Sequence, residues 1–392
     1  MTKVLDQTII KKIKTDSLLF PMQGVLFDIP EIETKITTIR IKEYHNIDFS
    51  FFGVNLNDKF NLNNRRYIGN KFKLTNWIFG IIKEKCVGES FADVFAGTGI
   101  VGAFASQYFD KIIVNDFLDS NHTIYQAFFS NNPYNQEKID SIIYNYNSLN
   151  SDLLEENYFS ENFGGKYFSQ NSAKKIGYIR EDIEKNKSNL TQKEYYILIA
   201  SLLYSIDKIA NTVGHYDAFF KKTKINDNFI MKSIETIKMK DVSIFNQDTN
   251  ILAKNLKADI VYIDPPYNSR QYSRFYHVLE NLTKWQKPKL YGTALKPEPE
   301  KISEYCKISA KYKFAELVND LQAKYLVVSY NNTYTSKSNS SKNKMTLEEI
   351  KAILETKGKT EIFEQDYKCF NAGNTDFDNH KEYLFVTKVN GG

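Results

Sequence analysis

The chain has 392 residues, enough for two or three domains or for one large domain carrying an insertion. Its 42% hydrophobic and 25% charged residues are ordinary for a soluble globular protein and exclude gross disorder. A net charge of +5 permits a nucleic-acid partner without demonstrating one, and the 14% aromatic content is what an AT-rich coding genome produces.

Within 1–60, residues 9–13 pattern as a helix and 34–41 alternate as a strand, but no chemistry is recognisable, so the segment reads as an N-terminal extension. The α/β signal begins near residue 65. Residues 70–86 place Phe72, Trp77, Phe79, Ile81 and Ile82 at helical spacing. Residues 90–95 (SFADVF) are a short apolar run expected to be a buried strand. The run ends in AGTG (96–99), after which IVGAFASQYF reads as a helix and 111–116 (KIIVND) as a second strand ending in an acid. That succession is the first half of a dinucleotide-type α/β fold.

Residues 120–240 break the alternation and read as mostly helical and polar. The best helix there is 191–209, with Thr191 as N-cap and Glu194 at the capping-box position. Residues 157–171 look loop-like. Strands resume at 242–245, 259–264 (DIVYID) and 325–330 (YLVVSY). A solvated loop is expected at 335–344, then a helix capped by Thr346 and closed by Gly358, then final strands at 360–367 and 382–387. The expected fold is therefore α/β, a Rossmann-like sheet formed by 61–119 and 241–392. A mostly helical insertion, 120–240, splits it and is far longer than an ordinary loop.

The three cysteines (Cys86, Cys306, Cys369) are distant and odd in number, giving neither a disulfide framework nor a CxxC pair. Five scattered histidines argue against a zinc site. The start of the chain lacks the apolar core of a signal peptide, and no run of about 18 apolar residues could span a membrane. The expected compartment is a reducing cytoplasm.

Two constellations carry chemistry. Asp93 opens the turn Asp93-Val-Phe-Ala-Gly-Thr-Gly99 at the carboxyl end of the first strand, where open α/β sheets bind ligands. Gly97 and Gly99 allow a tight turn and a close approach. The spacing is not GxGxxG, which argues against a nicotinamide oxidoreductase. An acid ahead of the turn suits a cationic ligand, such as the ammonium of S-adenosylmethionine, better than a pyrophosphate. Asp116 ends the second strand, placed either to accept hydrogen bonds from a ribose diol or to cap the following helix.

The second constellation, Asp264-Pro-Pro-Tyr267, directly follows the strand DIVYID. Consecutive prolines lack N–H donors and fix φ. The Asp264 carboxylate and the Pro265 carbonyl are thereby left as converging acceptors for an exocyclic amine. Tyr267 offers a flat face to a base, with Tyr272 or Phe275 as a second. A rigid strand-end turn is the plain alternative.

Tyr67-Ile-Gly-Asn-Lys71, DVFAGTG and DPPY together resemble the amino-methyltransferases of DNA, and more narrowly the adenine-N6 methyltransferases of restriction–modification systems (the D12 class). The segments Asn-Ser-Arg-Gln-Tyr-Ser (268–273), Tyr276-His-Val-Leu-Glu280 and Ala210-Asn-Thr-Val-Gly-His-Tyr216 extend the likeness, which covers roughly 65–390. The order of AGTG before DPPY, with a long insertion between, marks the α group, whose insertion reads the DNA. The resemblance implies an S-adenosylmethionine-dependent methyltransferase sheet, S-adenosylmethionine as cofactor, double-stranded DNA as partner, a separately acting cognate restriction endonuclease, and no metal or membrane. It assigns Asp264, Pro265, Pro266 and Tyr267 to catalysis. Tyr67, Gly69 and Lys71 go to the methionine end of the cofactor, which Asp93, Phe95, Gly97, Gly99 and Asp116 also border. Asp248 goes to the cofactor's own N6 group, unless it is only a turn residue.

Charge adds candidate DNA contacts. Residues 61–85 hold Arg65, Arg66, Lys71, Lys73, Lys83 and Lys85 against Glu84. Residues 265–296 hold Arg270, Arg274, Lys284, Lys287, Lys289 and Lys296 against Glu280. Each window flanks the expected active face, and phosphate neutralisation is the expected use, with solvated helix faces as the alternative. Arg65, Arg66, Arg270, Tyr272 and Arg274, with Lys221 and Lys222 of the insertion, are the candidates; Arg180 has the chemistry to read a guanine, although nothing in the sequence selects it. The expected activity is methylation of a flipped-out adenine at N6 in duplex DNA. RNA N-methylation, or a non-catalytic DNA-binding role for the same fold, are the alternatives, because DPPY also occurs in some RNA guanine-N2 methyltransferases.

Overall fold

A computed structural model describes residues 59–332, 344–366 and 381–391. All of them belong to the compact unit formed by Leu56–Lys368 and Phe377–Gly392. The helix expected at 9–13, the strand at 34–41 and nearly all of the loop at 335–344 lie outside the described residues.

The described strands are β1 Ser90–Asp93, β2 Lys111–Asn115, β3 Asp241–Phe245, β4 Ile260–Ile263, β5 Tyr325–Asn331, β6 Gly358–Asp366 and β7 Lys381–Val389. They form one sheet in the order β3-β2-β1-β4-β5-β7-β6. The first five are parallel, and β7 runs antiparallel between β5 and β6. Strands β4 and β5 are buried at every residue, as parallel strands covered on both faces must be, which is why they read as unbroken apolar runs.

The helices are α1 Thr75–Lys85, α2 Ile100–Ala105, α3 Asp119–Phe129, α4 Gln136–Asn147, α5 Tyr158–Phe163, α6 Gln170–Lys185, α7 Gln192–Ile209, α8 Thr249–Ala253, α9 Tyr272–Phe275, α10 His277–Lys284, α11 Ala310–Asp320 and α12 Leu347–Glu355. They sort onto the two faces of the sheet. Phe91, Ile112 and Ile260 point into a core shared with Ile78 and Ile82 of α1, Phe128 of α3 and Leu203 of α7. Their neighbours Ala92, Ile113 and Val261 point the other way, onto Phe314 and Leu317 of α11 and Ile350 of α12. Each such side chain fully buried contributes roughly 1.5–3 kcal/mol. The helices of 119–209 therefore share one hydrophobic core with a face of the sheet.

Three elements differ from expectation. Residues 157–171 are largely helical: Asn157 caps α5 through a capping box, and Phe159 and Phe163, one turn apart, are buried. Turn-rich composition hid that short amphipathic turn. Residues 210–240 are irregular rather than helical. Side chains fix the backbone there instead: Asn211 donates to the Lys166 and Phe220 carbonyls, both at 2.8 Å. Gly358 opens β6 rather than closing the preceding helix, and a Cβ there would lie 2.0 Å from the Lys388 carbonyl oxygen.

The strand order reverses between β1 and β4, which pair with Asp93 opposite Tyr262. Such a switch point opens a crevice beyond the carboxyl ends of the strands. It brings together the two segments, far apart in sequence, that carry the expected chemistry.

Candidate active site

The turn after β1 is shaped by its glycines. Gly97 and Gly99 have φ of +53° and +78°, in the left-handed region that favours glycine. A Cβ on Gly99 would lie 2.9 Å from the Tyr125 ring, and one on Gly97 3.1 Å from the Tyr67 ring. Asp116 fixes the same turn: its carboxylate accepts from the Gly97 and Leu118 amides, each at 2.8 Å. The expected ribose acceptor thus already serves two backbone amides, although it also lines the cleft.

Asp93 is 1% exposed, and neither carboxylate oxygen has a hydrogen-bond partner of normal geometry. Burial pushes its pKa well above the usual carboxylate range, and the nearby Asp264 and Asp116 add to the shift; the poorly aligned Gly102 and Phe95 amides oppose it. A buried carboxylate so weakly partnered, at the end of a parallel strand, suits a cationic ligand. Asp248 accepts from Asn250 N (2.9 Å) and caps α8, so its turn role is real, and it borders the cleft as well.

Tyr67, Gly69, Lys71, Phe95 and Gly97 also line this cleft, as do Asp264, Pro265, Pro266, Tyr267 and Tyr272. Gly99 is set behind the turn as the N-cap of α2. Tyr67 stacks on Tyr276 with centroids 4.8 Å apart, and Tyr272 leans on it at 5.4 Å. Sequence reasoning missed Phe117, Lys301, Ser303 and Tyr305, which close the far side. Lys301 pairs with Asp119 at 2.6 Å and lies 5.8 Å over the Phe117 ring. Phe117 directly follows Asp116, whereas Lys301, Ser303 and Tyr305 come from the stretch before α11, where nothing local marked them.

Lys71 lines this cleft and is also tied to the Asp264–Tyr267 turn. Its ammonium lies 2.8 Å from Asp264 Oδ2 and 3.3 Å from Glu382 Oε1, and it also donates to the Tyr267 hydroxyl. That hydroxyl in turn donates to Asp264. Burial raises the Asp264 pKa to about 6; Lys71 pulls it down and Glu382 pushes it up.

The cations proved the weakest part of the sequence reading. Arg65 is only 4% exposed, its guanidinium 4.9 Å over the Tyr67 ring and hydrogen-bonded to Asn121, with Asp207 as its charge partner. It is a core residue, not a DNA contact. Arg65→Ala should lower stability by about 3 kcal/mol in urea unfolding, whereas exposed Lys222 changed to Ala should alter it by less than about 0.5 kcal/mol. Arg180 is also buried, donating to the Leu282 and Thr283 carbonyls at the end of α10. Arg274 is tied to the Pro297 carbonyl, and Arg270 lies 5.7 Å over the Phe275 ring. Lys284, Lys287 and Lys296 pair with Glu300, Glu181 and Asp217. Several of the window cations are thus paired with acids that lie outside the windows. Arg66 is half-buried, while Lys221 and Lys222 are exposed.

Residues 67–353 match the family described as D12 class N6 adenine-specific DNA methyltransferase. The chain belongs to that class. It is 30% identical over 338 residues to type II methyltransferase M.NlaIII of Neisseria lactamica, covering 82% of this chain and 98% of that one. To M.CviAII of Paramecium bursaria Chlorella virus 1 it is 31% identical over 341 residues, with 84% and 99% covered. To modification methylase LlaI of Lactococcus lactis subsp. lactis it is 34% identical over 290 residues, 68% of this chain and 46% of that one. The chain therefore spans about half the length of the LlaI methylase and nearly all of the other two. The D12-class match runs from Tyr67 through the DPPY turn and ends before Glu382. Among the described residues no cluster of His, Cys, Asp and Glu could hold a metal ion, and no helix is long and apolar enough to cross a membrane.

Proposed function

We propose that the protein transfers a methyl group from S-adenosylmethionine to N6 of a flipped-out adenine in duplex DNA, as the modification enzyme of a restriction–modification system. The observation that carries this reading is the shared cleft, in which the buried, under-partnered Asp93 and the Asp264-Pro-Pro-Tyr267 turn meet at the β1–β4 switch point. S-adenosylmethionine supplies an electrophilic methyl group on a sulfonium. Asp93 answers its ammonium, and the glycine turn admits it closely.

Asp264 and the Pro265 carbonyl accept the two N6 hydrogens, which draws the nitrogen lone pair out of the ring. Flipping the base costs a few kcal/mol, offset in part by stacking on Tyr267 and Tyr272. Phe275 is a poor second platform, because His215 already stacks on it at 4.7 Å. Positioning is the main contribution of the protein, and no covalent intermediate is required. Residues 120–240 are the proposed target-recognition region. Within it, Tyr216 N donates to the Phe275 carbonyl at 2.8 Å, anchoring the insertion beside the catalytic turn just before Lys221 and Lys222. Those two lysines, with Arg66, are the proposed phosphate contacts.

Asp264 accepts most strongly while ionised. With its pKa raised to about 6 by burial, kcat/KM should fall as pH drops through about 6, with a one-proton slope. Steady-state rates between pH 5 and 8 check this. Labelled methyl transfer offered in parallel to duplex DNA and to ribosomal RNA separates the two nucleic-acid readings. Label in DNA is expected; label in RNA alone would overturn the proposal.

A further inference from the structure

Strand β7 runs against its neighbours, so its first residues lie at the same sheet edge as the carboxyl ends of β1 and β4. Glu382 is the second residue of that strand, paired in register with Asn331. It is a carboxylate at 2% exposure in a strand that otherwise continues Tyr-Leu-Phe-Val. A buried carboxylate in such a strand is costly unless it is partnered. Its neighbours reach it from three segments: Ser329 Oγ of β5 donates to Oε1 at 2.7 Å, the Tyr267 hydroxyl of the catalytic turn lies 3.4 Å from the same oxygen, and the Lys71 ammonium lies 3.3 Å from it.

Lys71 therefore stands between two carboxylates, Asp264 and Glu382. A lone Lys71–Asp264 pair would be neutral, and the ammonium would cancel most of the field with which Asp264 attracts an amino hydrogen. With Glu382 present, one ammonium faces two carboxylates and the cluster keeps a net negative charge. We propose that Glu382 is a positioning residue for methyl transfer. It shares Lys71 with Asp264 and leaves the Asp264 carboxylate able to accept the substrate's amino hydrogens. This rests on the reading given under Proposed function. Among the described residues, the groups facing Asp264 are Lys71, Glu382, Tyr267, Tyr262, Tyr272 and Asp93. Of the first two, Lys71 lowers its pKa and Glu382 raises it.

The test is Glu382→Gln, which keeps the oxygen that Ser329 and Lys71 meet but removes the charge, with Glu382→Asp as the conservative control. On duplex DNA, kcat should fall by up to about 10²-fold, while cofactor affinity and KM for DNA stay within about threefold. The acid limb should move to lower pH by about one unit, since a like charge is gone. Glu382→Asp should recover part of kcat. Carbon-detected NMR titration of the Asp264 carboxyl group in wild type and Glu382→Gln reads the same shift without catalysis. It therefore judges Glu382 even if wild type proves inactive on DNA, an outcome that overturns the functional reading instead. An Asp264 titration and a kcat both unmoved in Glu382→Gln would overturn the role proposed for Glu382. So would a kcat loss that follows unfolding while the Asp264 titration stays in place.

Discussion

Asp264→Ala is expected to reduce methyl transfer to duplex DNA by roughly 10³-fold while leaving the fold intact. In the proposed reaction the carboxylate is the acceptor that polarises the adenine amine, and the Pro265 carbonyl alone supplies half of that pairing. The fold should survive because the charge left behind is not stranded: Lys71 still has Glu382 at 3.3 Å and the Tyr267 hydroxyl. Cofactor binding should change little, since Asp93 and the glycine turn remain. Single-turnover methylation with circular dichroism and calorimetric titration of the cofactor separates these effects. Retention of most of the activity would remove Asp264 from the reaction.

Asp93→Asn should have opposite effects on binding and on stability. In the ligand-free protein Asp93 is a buried carboxylate met only by the poorly aligned Gly102 and Phe95 amides, and an under-partnered group of that kind costs about 1–3 kcal/mol. Removing its charge should therefore raise the melting temperature of the free protein. The same change takes away the partner of a buried ammonium, typically a loss of about 2–5 kcal/mol, or roughly 30- to several-thousandfold in cofactor affinity. A variant that is more stable yet binds S-adenosylmethionine far more weakly is the expected result. Unchanged cofactor affinity would show that the cation is held elsewhere.

Local chemistry was legible in the sequence. Rigid prolines after an apolar strand, and glycines after a strand ending in an acid, are patterns whose physics lies within a few residues. The structure places both segments in one cleft. Long-range pairing was not legible. Lys71 meets Asp264 from 193 positions away, and nothing local to either residue forecasts that contact. Glu382 looked like the polar start of a last strand, and only the antiparallel run of β7 reveals that it faces the catalytic turn. Charge counting failed for a related reason. A window sum takes no account of burial, which hid Arg65 and Arg180, nor of acids across the fold, which neutralise Lys284, Lys287 and Lys296. Of the candidate cations, Lys221 and Lys222, in an irregular stretch, are exposed, and Arg66 is half-buried.

Methylation-sensitive sequencing of DNA from cells expressing the protein reads base, position and motif together. N6-methyladenine at one fixed sequence, absent from cells expressing Asp264→Ala, is the predicted result. DNA carrying no new N6-methyladenine, or methylation on cytosine instead, would contradict the assignment of the cleft to adenine-N6 transfer.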